Sequence, residues 1–244
     1  PIFLALTGTD LYQDLKVSLA ARKAVETATL LIVLQDRAAR HLPPRHRGKS
    51  RVVYQSVPKT PGSPRPAARH FQVSVVGHLR PLKDPMRTAL AVRRLPAESR
   101  ILVLHAGRSL TEALGLQARR ESRQNPRYRW LGELPRWQTR RLIARSRLLV
   151  LTSRLEGGAH VLSEALVDGI PILASKIPGS VGILGDAYPG YFRVGDTRGL
   201  RKLMLRAETD PGFHRDLRDR CRALAPRFHP RREVATWKAL LREA

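Results

Sequence analysis

The chain has 244 residues, 42% hydrophobic and 27% charged, which is enough to bury a sizeable core in one large or two small globular domains. Its 45 Lys and Arg against 20 Asp and Glu give a formal charge of +25, which suits either nucleic acid or a small anionic substrate. Arg is scattered from end to end, aromatics are 5%, and no basic run is interleaved with stacking rings, so we expect an anionic small molecule and no nucleic acid. The single Cys221 excludes an internal disulfide and fits a reducing, cytoplasmic compartment. No apolar stretch is long enough to span a membrane, and none reads as a signal peptide.

Pro1 to Leu6 reads as a short strand ending in the small-residue turn Thr7, Gly8, Thr9, Asp10, which suits close approach of a ligand. A helical stretch, a strand over Leu30 to Leu34 and a strand over Arg51 to Tyr54 follow. Pro58 to Ala68 is dense in Pro with Gly and Ser and reads as an interdomain linker. Beyond it, strands are expected at Val73 to Val76, Ile101 to His105, Arg129 to Leu131, Leu148 to Leu151, Pro171 to Ala174 and Tyr191 to Val194, with helices between them: a second, complete α/β domain. Asp210 to Leu241 is helical and amphipathic, with Trp237, Leu240 and Leu241 as its docking face.

The most informative stretch is Arg147 to Gly179, RLLVLTSRLEGGAHVLSEALVDGIPILASKIPG, a βαβ unit with Gly169 at the helix C-cap and Pro171 opening the second strand. The loop after its first strand and the following helix N-terminus belong to the ligand-binding edge of a parallel sheet, where free amides favour an anion. Glu156 stands on that loop and Glu164 inside the helix. Either carboxylate has a plain reading as a solvated or dipole-compensating group. Against it, Gly157 and Gly158 beside Glu156 admit close backbone approach, and Glu164 runs into the apolar Ala165, Leu166 and Val167. The loop Gly77 to Asp84 brings the cations Arg80 and Lys83 to the same edge, where they could hold a diphosphate, and the Gly132 to Pro135 turn belongs there too. His160 has two readings, contact with a ligand oxygen or simple packing.

Together, Val76-Gly77-x-Leu79-x-x-x-Lys83, Leu131-Gly132-x-Leu134 and Ser153-x-x-Glu156-Gly157 with Glu164-Ala165 resemble the C-terminal half of retaining, GT-B-fold glycosyltransferases that use nucleotide sugars. Within that group, LALTGTDLY, VVGHLRPLKDP, NPRYRWLGELPR, SRLEGGAHVLSEAL, SKIPGSVGILG and YPGYFRVGDT resemble the selenosugar synthases of selenoneine biosynthesis, across the whole chain. The resemblance implies an α/β, GT-B-like fold of two Rossmann-type domains, the N-terminal one incomplete. Residues 1–57 would be the acceptor-side domain, 58–70 the linker, 71–225 the nucleotide-sugar domain, and 226–244 a helix docking back on the N-terminal domain.

The same resemblance implies a UDP-sugar donor, UDP-N-acetylglucosamine in the first instance, and selenophosphate as the selenium source, with loss of UDP and phosphate. Glu164 would take the ribose hydroxyls, because a carboxylate accepts from two vicinal OH groups. Arg80 and Lys83 would hold the diphosphate, with Gly77 and His78 in the phosphate loop. Glu156, Gly157 and Gly158 would face the sugar, Leu134 and its turn the uracil, and Thr7 to Asp10 the cleft from the other domain. Enzymes of this fold generally work without a bound metal, and the sequence has no DxD triplet, so neither cofactor nor metal is expected. Two positions depart from the common pattern: His78 stands where many relatives carry Arg, and Thr7 where many carry His. An already anionic selenium needs no proton removed, which would make a basic group at Thr7 unnecessary. Three other readings remain: an ordinary glycosyltransferase acting on a glycan, lipid or small molecule, a basic nucleic-acid-binding α/β protein, and a donor-binding remnant that binds UDP yet releases none from a UDP-sugar.

Overall fold

The computed structural model describes residues 1–62, 64–66 and 68–243. Two parallel sheets carry it. The smaller has the order β1-β2-β3, from Phe3–Leu6, Leu30–Val33 and Ser50–Val52. Its connections hold the short helices α1 (Leu15–Val17), α2 (Leu19–Thr27) and α3 (Pro44–Arg47). Ser18 starts α2, its hydroxyl accepting from the Ala21 amide at 3.2 Å.

Strand β2 is buried at all four residues, and the period-two alternation of a strand sends them to two different cores. Leu31 and Val33 join Leu6, Leu11, Val25 and Leu42 on one face. Leu30 and Ile32 join Val53 and, from the far end of the chain, Leu240 and Trp237 on the other. A parallel strand needs both faces covered, and the C-terminal helix α11 (Pro230–Glu243) is the second cover.

The larger sheet has the order β6-β5-β4-β7-β8-β9, all parallel. Its strands are β4 (Phe71–Val76), β5 (Ile101–Ala106), β6 (Tyr128–Gly132), β7 (Leu148–Leu151), β8 (Ile172–Ser175) and β9 (Tyr191–Phe192). Between and after them run α4 (Arg87–Val92), α5 (Glu112–Gln124), α6 (Arg136–Ala144), α7 (His160–Val167), α8 (Pro178–Leu184), α9 (Thr197–Thr209) and α10 (Pro211–Leu224). The central β7, Leu-Leu-Val-Leu, is wholly buried, as a strand covered by helices on both faces must be. From β4 the chain builds outward to β5 and β6, then returns to lay β7 on β4's other side. The order reverses there, and a crevice opens between the loops after β4 and β7.

The expected strands are all present, most within two residues of their predicted ends. Helix α7 stops as the sequence indicates. Gly169 is left-handed at φ +67°, its amide bonding the Leu166 carbonyl at 3.0 Å and the Ile170 amide the Ala165 carbonyl at 2.9 Å. One expectation needs correction: Leu241 is 64% exposed and takes no part in the docking face of α11. It lies roughly 100° round the helix from Leu240, whereas Glu233, Trp237 and Leu240 share the inward side.

The predicted linker is partly fixed. Ser63 and Ala67 lie outside the described residues, as does Ala244 at the end of the predicted C-terminal helix. Before them, the Val57 amide bonds the Phe228 carbonyl at 3.0 Å, the Ser56 amide bonds the Glu233 carboxylate at 2.8 Å, and Tyr54 meets Phe228 edge to face at 5.3 Å. The two segments joining the halves are therefore laced side by side. Cys221 is buried and free, within 3.4 Å of the Tyr188 hydroxyl, and burial pushes its thiol up to about 11. Among the described residues no helix is long and apolar enough to cross a membrane.

Candidate functional site

The loops after β4 and β7 are stitched together at the crevice. Arg80 leads into a tight turn, Pro81–Lys83, closed by Asp84 in the left-handed region at φ 44°. Asp84 tolerates that conformation because its carboxylate is held by Arg87 at 2.8 Å. The Thr152 hydroxyl donates to the carbonyls of Lys83 (2.8 Å) and Asp84 (3.0 Å), and the Arg154 amide donates to that of Leu82 at 2.8 Å. On this frame the Lys83 ammonium pairs with the Glu156 carboxylate, which also accepts from the Ser153 hydroxyl at 2.6 Å. Both members are largely buried, so water screens the pair little.

A cavity of about 400 Å³ opens over this edge. Five of the sequence-predicted site residues line it: Gly77, His78, Arg80, Lys83 and Leu134. Ala106, Gly107 and Thr139 line it as well and were not anticipated. The His78 side chain turns its Nδ1 to the Arg108 amide at 3.2 Å.

The loop from the small sheet closes against Glu156 backbone to backbone. A Cβ on Gly157 would fall 1.9 Å from the Thr7 carbonyl oxygen, one on Gly8 3.1 Å from the Gly157 nitrogen, and one on Gly158 2.6 Å from the Leu34 Cβ. The glycines read as room for a ligand are also what lets the two sheets touch. Asp10 braces the small-sheet loop from within, its carboxylate accepting from the amides of Thr7 (2.7 Å), Gly8 (2.6 Å) and Leu11 (2.8 Å). Thr7 and Thr9 are exposed beside it.

Ala159, the N-cap of helix α7, offers no side-chain cap; the Leu162 amide bonds the Ala159 carbonyl at 2.8 Å, which leaves the amides of His160 and Val161 to face the Glu156 loop. Glu164, only 7% exposed, lies 3.7 Å from His160 Nδ1 and 3.8 Å from Arg140 Nη1. Burial pushes its carboxyl above the usual range; His160, Arg140 and Arg136 pull it back, and Asp168 adds to the rise. Arg140 is the residue that sequence reading missed. Its Nη2 bonds Asp168 (3.1 Å), the Thr60 hydroxyl (2.9 Å) and the Pro58 carbonyl (3.0 Å), while Asp168 also accepts from the Thr60 amide at 2.9 Å. Its Nη1 is buried without a hydrogen-bond partner and faces Glu164. The signal was helical period: Arg140 shares the buried face of α6 with Ile143 and Ala144. A second cavity, about 580 Å³, lies between the linker residues Val57 to Pro61 and the side of α6 that carries Arg136, Trp137, Arg140 and Arg141.

The loops after β4 and β7 thus bring two cations and an oriented carboxylate together, with the first turn of α7 beside them and the buried Glu164 one turn further along that helix. That set can hold a diphosphate, accept from hydroxyl groups and meet negative charge that develops on a leaving oxygen. Among the described residues, no three His, Cys, Asp or Glu side chains come together as a metal site.

A family model described as "Glycosyl transferases group 1" matches residues 59–226, more than half of the chain. No curated protein matches the sequence significantly. Among solved structures, HepE from Anabaena in complex with UDP and glucose is similar at a TM-score of 0.77 and 19% identity, over 100% of this chain and 71% of HepE. Sucrose-phosphate synthase from Thermosynechococcus elongatus is similar at 0.78 and 17%, over 99% and 67%. The pneumococcal O-GlcNAc transferase GtfA, with UDP and GlcNAc, is similar at 0.78 and 14%, over 99% and 52%. These likenesses establish the α/β, GT-B-like fold.

Proposed function

The chain belongs to the group 1 glycosyl transferases, and from that premise we propose that it is a selenosugar synthase, joining the sugar of a UDP-sugar to selenium from selenophosphate. The observation that carries the donor half is the cavity at the C-terminal edge of the large sheet, lined by Arg80 and Lys83, with Lys83 paired to Glu156 of the neighbouring loop. The Anabaena protein HepE, of the same fold, has been crystallised with UDP-glucose, which supports a UDP-sugar. The selenium half is supported by the strings along the whole chain that resemble selenosugar synthases.

In this reading residues 71–225 hold the donor and residues 1–57 face the acceptor, with 58–70 joining them. Selenium attacks the anomeric carbon, the bond from that carbon to the UDP oxygen breaks, and a Se–C bond forms. Arg80, Lys83 and the first turn of α7 stabilise the charge arriving on the diphosphate. Glu156, aimed by Lys83 and Ser153, faces the sugar with Gly157 and Gly158. Glu164 accepts from the ribose hydroxyls, and Leu134 with its turn meets the uracil. One water then cleaves the Se–P bond, releasing phosphate and the sugar selenol. The reaction belongs in a reducing cytoplasm, where such a selenol persists.

The second reading, transfer to an oxygen acceptor, draws on neighbours named for making sucrose phosphate and trehalose phosphate. Mass spectrometry of a reaction with UDP-N-acetylglucosamine and selenophosphate separates the two. UDP together with a sugar carrying selenium's isotope pattern, both lost in Glu156→Ala, is the expected result. UDP without a selenosugar would favour the oxygen acceptor, and no UDP from any UDP-sugar would overturn both.

A further inference from the structure

His105 is a buried titratable group that the proposed chemistry leaves unused. It stands next to last in β5, a strand otherwise apolar, and is 1% exposed. Its Nδ1 lies 2.9 Å from the Tyr128 hydroxyl and its Nε2 3.2 Å from the Gly77 carbonyl oxygen. A carbonyl has no proton to give, so Nε2 carries the hydrogen and donates. Burial lowers the imidazole's pKa to about 4 and keeps it neutral, so Nδ1 is bare and accepts from the tyrosine. The tautomer is thereby fixed from both sides.

The consequence falls on the Gly77–His78 peptide. A trans peptide is planar, with its C=O and N–H pointing in opposite directions. Turning the Gly77 carbonyl to His105 turns the His78 N–H away from it. Among the described residues that amide has no protein acceptor, whereas the amides on either side do: Gly77 bonds Ala106 and Leu79 bonds Arg108, each at 2.9 Å. Gly77 and His78 both line the 400 Å³ cavity. The peptide is also clamped by contact. A Cβ on Gly107 would lie 2.0 Å from the Gly77 oxygen and 3.0 Å from the His78 nitrogen, and Gly107 is itself held by the Trp130 indole N–H at 2.8 Å.

We propose that Tyr128 and His105 form a buried relay that sets the Gly77–His78 peptide, keeping the His78 amide as a preorganised donor to the donor substrate's diphosphate. His105 is thus a positioning residue for phosphate recognition. The inference rests on reading this cavity as the UDP-sugar site. A histidine that merely fills the core would matter equally to every ligand; a histidine that aims an amide at phosphate matters only to ligands that carry phosphate.

The test is calorimetric binding of UDP and of uridine to the wild type and to His105→Leu, His105→Gln and Tyr128→Phe. Losing an aimed hydrogen bond to a charged group weakens binding by about tenfold or more. His105→Leu should lose that much for UDP and less than about twofold for uridine. His105→Gln, whose amide can donate from the Nε2 position, should recover most of the loss, and Tyr128→Phe should show a smaller UDP-selective loss. Equal weakening of both ligands, or full UDP affinity in His105→Leu, overturns the proposal. If His105→Leu does not fold, Tyr128→Phe decides, a UDP-selective loss supporting the relay and unchanged UDP affinity overturning it. A wild type that binds no UDP would instead remove the donor-site reading, and the relay with it.

Discussion

Gly157→Ala tests the meeting of the two sheets most directly. The added Cβ would lie 1.9 Å from the Thr7 carbonyl oxygen, 2.3 Å from its carbon and 2.7 Å from the Gly8 nitrogen. Non-bonded carbon contacts settle near 3.5 Å, so the loops must part by roughly 1.5 Å. All three obstacles are backbone, and no rotamer change relieves them. Overpacking of this kind costs about 1–3 kcal/mol, or a Tm lower by roughly 2–12 °C in a chain of this size. Gly48→Ala is the control, because its Cβ would meet nothing within 4 Å and its φ of −60° suits any residue. The control should be neutral or slightly stabilising. The 400 Å³ cavity is lined by neither Gly157 nor any residue of the small sheet, so UDP affinity in Gly157→Ala should stay within about threefold. Sugar transfer should fall at least tenfold, because Glu156 is moved with its neighbour. Melting curves, UDP titration and product mass spectrometry read the three effects. A variant as stable and as active as Gly48→Ala would refute the close contact.

Glu164 should make nucleoside binding depend on pH. Its carboxyl sits above 4.5 because burial opposes the charge, and only the carboxylate accepts from both ribose hydroxyls. Uridine, which has no phosphate to titrate, should bind more tightly as pH rises through that raised value and then level off. Glu164→Gln should bind weakly and without this slope, and a slope that survives the substitution would point to another group. Arg140→Met removes the partner of a buried carboxylate and should cost about 3–5 kcal/mol in denaturant melts. Adding Asp168→Asn should restore part of that loss, and simple additivity of the two changes would argue against their coupling.

The strands were legible because parallel strands buried on both faces appear as unbroken apolar runs; Leu148 to Leu151 and Leu30 to Val33 could be little else. The end of α7 was legible because only glycine takes φ +67° without cost. The cations of the cavity were found because Arg80 and Lys83 follow a strand directly, so chain order places them at the sheet edge. What escaped depends on tertiary placement. The Lys83–Glu156 pair joins residues 73 apart, and Thr60 anchors to Asp168 across 108. Pro58 to Pro61 carries the composition of a free linker, yet Thr60 is buried by partners that no local pattern predicts. The role of His105 was not legible either, because its partners come from the chain on either side of its strand, Gly77 just after β4 and Tyr128 at the start of β6.

The chain passes between its halves twice, outward after β3 and back into α11, and the two passages are bonded to each other at Val57 and Phe228. A body hung on a single strand can swivel about any axis through the attachment. Hung on two that lie side by side, it keeps one easy rotation, about the line that joins them. That line runs through the laced segments, and the Thr7 and Glu156 loops meet elsewhere. A turn about the seam would therefore open or close the crevice with little sideways slip, and the register in which the Thr7 loop meets the Glu156 loop would be kept.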